Sequence, residues 1–287
     1  MPVNPGNKEI PKPLCIQAHS SSLRCGGSLC KVRNDNRMCA FTLAEVLITL
    51  VIIGVIAALT IPTLMKNYRK HEIETMLKQN YSILQNALGM AKAEYGDPTG
   101  WDELNTAKLT TANTMYDFLN KYIVPYIKTV KGGNITLREL GYRTPIYGKD
   151  GQTVASSLSL DDKRPRYMLN NGSVIAKIIA PVYSNSDNER VYPQYDITID
   201  LNGPKGPNTE GKDVFLYRIY LTGGQNSLGF CSKSMTFDAD TRTFIFTENT
   251  KQQLMYTCKH PSASICPCGA LIQLNGWKIP DDYPHKF

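Results

Sequence analysis

Phe41-Thr-Leu-Ala-Glu45-Val-Leu-Ile-Thr-Leu-Val-Ile-Ile-Gly-Val-Ile-Ala-Ala-Leu-Thr-Ile-Pro62 is the stretch on which the reading of this 287-residue chain turns. From Val46 to Ile61 only Thr49, Gly54 and Thr60 interrupt the hydrocarbon. Continued to Met65, the run reaches about 25 residues, enough for one helical bilayer crossing. Lys31, Arg33 and Arg37 precede it, and Lys66, Arg69 and Lys70 follow. Glu45 stands apart from its neighbours. A charge at the centre of a membrane helix costs about 2.5–3.5 kcal/mol, and less near an interface, so a carboxylate there reads as functional.

The helical pattern resumes beyond Pro62. Ile73, Leu77, Tyr81, Leu84, Leu88, Ala91 and Tyr95 recur at intervals of three and four, one face of an amphipathic helix. Gly96-Asp97-Pro98 stops it. Phe41 to Tyr95 then makes a helix of about 80 Å, apolar all round in its first half and on one stripe in its second. The first half belongs in lipid or in a bundle of its own copies, and the second covers something globular. A second helix is expected over Thr111–Thr129, ended or bent by Pro125, and residues 141–166 read mostly as loop.

From Tyr167 the pattern turns to strands. Tyr167–Ile179 reads as a hairpin on Asn171-Gly172, Tyr195–Leu201 and Val214–Leu221 as two strands, and Ala270–Ile279 as a hairpin on Asn275-Gly276. Helices first and antiparallel strands later indicate an α+β fold, the sheet packed on the amphipathic half of the long helix.

Ala40-Phe-Thr-Leu-Ala-Glu45 followed by an apolar helix resembles the N-terminus of type IV prepilins and type II secretion pseudopilins. In that family a membrane peptidase cuts just before the Phe and the new amine is methylated. The resemblance places the cut between Ala40 and Phe41 and makes Glu45 the assembly carboxylate, pairing with the terminal amine of a neighbouring subunit. Pro62 falls where pilins often carry a helix-kinking proline. The family usually has Gly before the cut; this chain has Ala40, the next smallest residue. The resemblance implies a leader over 1–40, a transmembrane and assembly segment over 41–65, and an extracytoplasmic pilin-like domain over 66–287. Its implied partners are prepilin peptidase, other pilin or pseudopilin subunits and the inner membrane. The implied protein is a filament subunit and not an enzyme, first spanning the membrane with its N-terminus in the cytoplasm, then in an extracytoplasmic filament.

Composition agrees. Residues 1–40 carry six Lys/Arg and two acids, +4 of the formal +7, leaving +3 for the remaining residues. That is no general case for nucleic-acid binding. The basic flank fits a cytoplasmic N-terminus. Of eight cysteines, four lie before residue 41. Cys231, Cys258, Cys266 and Cys268 are disulfide candidates if the tail is extracytoplasmic, with three possible full pairings. Cys266 and Cys268, one residue apart, are expected to find partners elsewhere. Their spacing lacks the C-x₂₋₄-C pair of a zinc site.

Asp200-Leu-Asn202-Gly-Pro-Lys-Gly-Pro-Asn208-Thr-Glu210-Gly-Lys-Asp213 is the loop richest in hard oxygen ligands. Asp200, Asn202, Asn208 and Asp213, with backbone carbonyls, suit Ca²⁺, without EF-hand spacing. This resembles some type II pseudopilins, which hold calcium in a loop between late strands. The plain alternative is a Gly/Pro/Asn connection whose side chains cap their own turns. Gly206-x₄-Gly211-Lys212-Asp213 approaches a P-loop but lacks its Ser/Thr and its following helix. His71-Glu72 is not completed to a zinc motif. Trp277 and Tyr283 read as core rather than as an exposed patch. Two other readings compete with the filament subunit: an exported binding protein or enzyme with an ordinary signal peptide cut near Ala57, and a single-pass anchor holding a ligand-binding domain. Both leave Glu45 unexplained.

Overall fold

The computed structural model describes residues 42–101, 116–155, 158–179, 183–184, 190–191, 194–220, 227–230, 233–238, 243–260 and 266–287. The chain divides into two units, Met1–Ile53 and Gly54–Phe287. In the first, the described residues 42–53 are helical after Thr42 and exposed throughout. They belong to helix α1, Leu43–Tyr95, which contains Pro62 without ending there.

The second unit is built on a six-stranded antiparallel sheet of order β1-β2-β3-β6-β7-β8. Its strands are β1 (Thr129–Ile135), β2 (Arg164–Leu169), β3 (Val174–Ile179), β6 (Gln194–Asp200), β7 (Val214–Tyr220) and β8 (Ser227–Gly229). Two small hairpins stand outside it: β4 (Tyr183–Ser184) with β5 (Arg190–Val191), and β9 (Lys233–Asp238) with β10 (Thr243–Glu248). Helices α2 (Lys251–Lys259) and α3 (Cys266–Leu274) follow. This is an α+β, pilin-like arrangement.

The core follows the expected stripe. Ile73, Leu77, Leu84, Leu88 and Ala91 of α1 are buried with Tyr195, Ile197 and Ile199 of β6 and Phe215, Tyr217 and Ile219 of β7. Tyr81 is partly buried in the same cluster, and Tyr95 is exposed. Alternate residues point to the opposite face. There Val174, Ala176, Val214 and Leu216 pack under Leu137, Leu140, Tyr142, Ile146 and Leu158. With both faces covered, β6 and β7 are buried almost end to end. Asp196 faces Arg218 across them, joined by two hydrogen bonds of 2.6 and 2.7 Å.

Polar bonds fix α1 on the sheet. Tyr217 Oη donates to the Leu77 carbonyl at 2.9 Å. Asn80 Nδ2 donates to Ser173 Oγ at 2.9 Å. The Glu74 carboxylate accepts from Ile279 N at 2.8 Å and from Lys278 Nζ at 2.9 Å.

Two expectations are corrected. Ala270–Ile279 is not a hairpin. Its first half is helix α3, and Asn275-Gly276 ends that helix: Trp277 N bonds the Ile272 carbonyl and Gly276 N the Gln273 carbonyl, with Gly276 at φ +68°. That is a Schellman cap, which needs the same left-handed residue as a tight hairpin turn. Trp277 still packs inward, edge-on to Tyr81 at 5.1 Å, and Tyr283 is buried. The helix expected over Thr111–Thr129 is described only from Tyr116. It tightens to a 3₁₀ turn at Val124–Tyr126 around Pro125, and Thr129 already opens β1. Strand β1 itself escaped notice because it carries two glycines. A Cβ on Gly132 would lie 2.2 Å from the Tyr167 ring, so the aromatic ring covers this edge glycine as a side chain would.

Candidate functional site

Thr42 and Glu45 form a capping box at the start of α1. The Glu45 carboxylate accepts from Thr42 N and Thr42 Oγ1, both at 2.9 Å, while Glu45 N donates to Thr42 Oγ1 at 3.2 Å. The first turn of a helix leaves backbone N–H groups without partners, and this reciprocal pair satisfies two of them. Glu45 stays exposed, on a turn that the same side chain stabilises. The sequence carried the signal, Thr-x-x-Glu, but the carboxylate drew attention to its charge alone. Ala40 and Phe41 lie outside the described residues.

The Asp200–Asp213 loop joins β6 to β7 and brings two carboxylates into the interior. Asp200 is fully buried and accepts from Tyr142 Oη at 2.9 Å and Gly203 N at 3.0 Å. Asp213, equally buried, accepts from Thr209 N at 2.7 Å, Asn208 N at 3.0 Å and Asn202 Nδ2 at 3.3 Å. Burial, and next the Asp213 charge, pushes the Asp200 carboxyl well above the usual range; burial also raises Asp213. Glu210 is pushed up to about 7 by burial, against the pull of Lys149 and Lys177. The buried Oδ1 atoms of Asn202 and Asn208 have no hydrogen-bond partner within the protein, and Asn208 holds a left-handed φ of +53°. Two buried carboxylates and two unpartnered amide oxygens are of the oxygen type a hard cation such as Ca²⁺ takes, although each carboxylate oxygen already accepts a hydrogen bond within the protein. Gly211-Lys212-Asp213 runs into strand β7 rather than a helix, which removes the nucleotide-loop reading.

The third cluster lies at the C-terminal end. Cys258 of α2 and Cys268 of α3 form a disulfide. His285 Nε2 sits 3.1 Å from the Cys258 carbonyl and 3.9 Å from Cys268 Sγ. These three residues bring their ligand atoms within 4.8 Å, but the S–S bond occupies both sulfurs. Cys231 lies outside the described residues, and Cys266 opens α3. Tyr283 Oη donates to the Gly211 carbonyl at 2.7 Å, and a Cβ on Gly211 would lie 2.7 Å from the His285 ring. The tail therefore closes over the β6–β7 loop and the disulfide together.

Three predictions arise here. Alkylation of the folded chain without reductant is expected to label neither Cys258 nor Cys268. Cys258→Ala is expected to cost about 2–3 kcal/mol, since the bond closes a short loop. Burial holds His285 below its ordinary pKa despite its bond to the Cys258 carbonyl, and Lys149 and Lys212 add to the depression. The unfolded chain then takes up this proton first, so the stability contributed by neutral His285 is present above about 6.5 and lost as pH falls through the folded value. Denaturant midpoints should drop more steeply between about pH 7 and 5 for the native chain than for His285→Gln; parallel profiles would contradict this.

An apolar, exposed N-terminal helix opened by Thr-x-x-Glu and continued onto a buried antiparallel sheet is the arrangement of a type IV prepilin-like protein. Comparison agrees, since the prokaryotic N-terminal methylation motif matches residues 35–61. The chain belongs to a family of unknown function (DUF6613), whose model matches residues 63–287. No curated protein and no solved structure matches the chain.

Proposed function

We propose that this chain is a minor pilin or pseudopilin, a structural subunit of a type IV pilus or type II secretion filament. The observation that carries this reading is the methylation motif at 35–61, whose residues from Leu43 onward are the start of a 53-residue helix. Its apolar half is exposed and needs lipid or other subunits to cover it. The chain is cut between Ala40 and Phe41 and methylated at Phe41. It resides in the inner membrane with its N-terminus in the cytoplasm, then moves into an extracytoplasmic filament. Glu45 is the assembly carboxylate, Pro62 a point of helix adjustment, and the domain over 66–287 the exposed body. The subunit performs no catalysis.

The β6–β7 loop serves that body as a calcium site. Asp200 and Asp213 supply the charge, and Asn202 and Asn208 supply neutral oxygens. Bound there, the ion holds the ends of β6 and β7 together and offsets the mutual repulsion of the two acids.

Mass spectrometry of the mature N-terminus tests the reading. The expected mass begins at Phe41 and carries one added methyl group. Replacing Ala40 with a bulky residue is expected to leave precursor in the membrane. An intact leader on assembled material, or a terminus near Leu59, would overturn it, the latter in favour of an exported binding protein.

A further inference from the structure

We propose that the domain carries a binding groove for one anionic glycerophospholipid at the base of its long helix. The inference rests on the reading of the apolar half of α1 as a membrane span. A groove of about 450 Å³ lies against the helix turns that follow that run, between α1, the Gly203–Lys205 turn and the C-terminal tail. Pro62, Met65 and Phe287 give it an apolar wall, and Lys66, Arg69 and Lys205 give it three cations. Glu72 is the one side-chain carboxylate among its lining residues. Arg69 Nη2 reaches the Gly206 carbonyl at 3.4 Å, which holds the guanidinium against the loop rather than out in solvent. Tyr68, 66% exposed, stands at the same level of the helix.

The chemistry of this patch is that of a membrane interface. Lys, Arg and Tyr just beyond an apolar span sit at headgroup depth, and their stems run along apolar surface while their charged ends reach the phosphate layer. Residues 62–69 are in that position along the chain, and the groove faces them. The volume suits a headgroup with its glycerol. Three cations outnumber the Glu72 carboxylate even with the main-chain carboxylate of Phe287 counted, which favours a net negative headgroup, and a guanidinium binds phosphate oxygens with two parallel hydrogen bonds. The same patch on a second copy would bring cation against cation, so a like copy is the poorer occupant.

The test is native mass spectrometry of the full chain, released from mild detergent with equal phosphatidylglycerol and phosphatidylcholine. One retained phosphatidylglycerol is expected, preferred about tenfold or more. Lys66→Gln, Arg69→Gln and Lys205→Gln should each lower retention about fivefold, and Lys251→Gln should not. An unchanged thermal unfolding midpoint and circular dichroism spectrum report that each variant has folded. Equal retention of both lipids, unchanged retention in the three variants, displacement by equimolar inorganic phosphate, or a lipid-free dimer shielding these residues would each overturn the proposal. Failure of the span reading shows separately, as protein lost from alkaline-washed membranes.

Discussion

Glu45→Ala protein is expected to accumulate in the membrane and to be missing from filaments. Removing a charge from an apolar helix favours insertion, so membrane levels should hold or rise. Assembly should fall at least about tenfold. Truncating one partner of a buried charge pair costs about 2–5 kcal/mol, and the neighbouring amine would lose its counter-charge in a low-dielectric bundle. The capping box sharpens the experiment, because Glu45 also bonds Thr42 N and Thr42 Oγ1. Glu45→Gln keeps an acceptor for Thr42 and loses the charge; Thr42→Val keeps the charge and loses half of the cap. If charge drives assembly, Gln behaves like Ala, and Val costs only the roughly 1 kcal/mol of a missing cap. Normal filaments from Glu45→Gln would reduce the residue to a helix cap.

The second large effect is expected from calcium. At a free concentration about 100 times Kd, an ion that binds only the folded state adds roughly 2.7 kcal/mol. For a domain of this size that is a shift of about 5–10 °C in Tm. Thermal unfolding of the full chain in detergent, with calcium and with excess chelator, measures it. The shift should vanish in Asp213→Asn and persist in Asp281→Ala, an exposed acid outside the loop. Protons compete for the same carboxylates. With Asp200 and Asp213 both raised, the shift should shrink on acidification. Identical midpoints with calcium and with chelator would leave a loop held by its own turn hydrogen bonds.

What was legible in the sequence followed from periodicity. The long helix announced itself by an unbroken apolar run and then by an i, i+3, i+4 stripe, because one side of a helix must bury what the other exposes. Strand β6 was legible as the alternation Tyr195, Ile197, Ile199, Leu201 stopped by Asn202-Gly203, and β7 as a short apolar and aromatic run stopped by Gly223-Gly224. Two Asn-Gly pairs were not equally legible. At Asn171-Gly172 the dipeptide turns a hairpin, β2 pairing with β3; at Asn275-Gly276 it caps α3. The dipeptide specifies only a left-handed residue. The run before it, Ala270-Leu-Ile, is buried on every side and so shows neither period. Helix α2 was missed although Thr250 and Gln253 form a capping box. In the β6–β7 loop the acids were visible by type. Tyr142 was not, because it meets Asp200 across 58 positions of chain, and no local pattern encodes such a contact.

The bonds that Glu74, Leu77 and Asn80 make from the buried side of α1 have a mechanical meaning. Apolar packing is non-directional and tolerates sliding; hydrogen bonds at 2.8–2.9 Å do not. A slip of one residue moves a helix by about 1.5 Å along its axis, enough to break all of them and strand a buried carboxylate and amide. They index the sheet to one point on the rod. Tension drawn along α1 would therefore pass into the body as shear on three bonds at once, and the body would travel with its helix rather than creep along it.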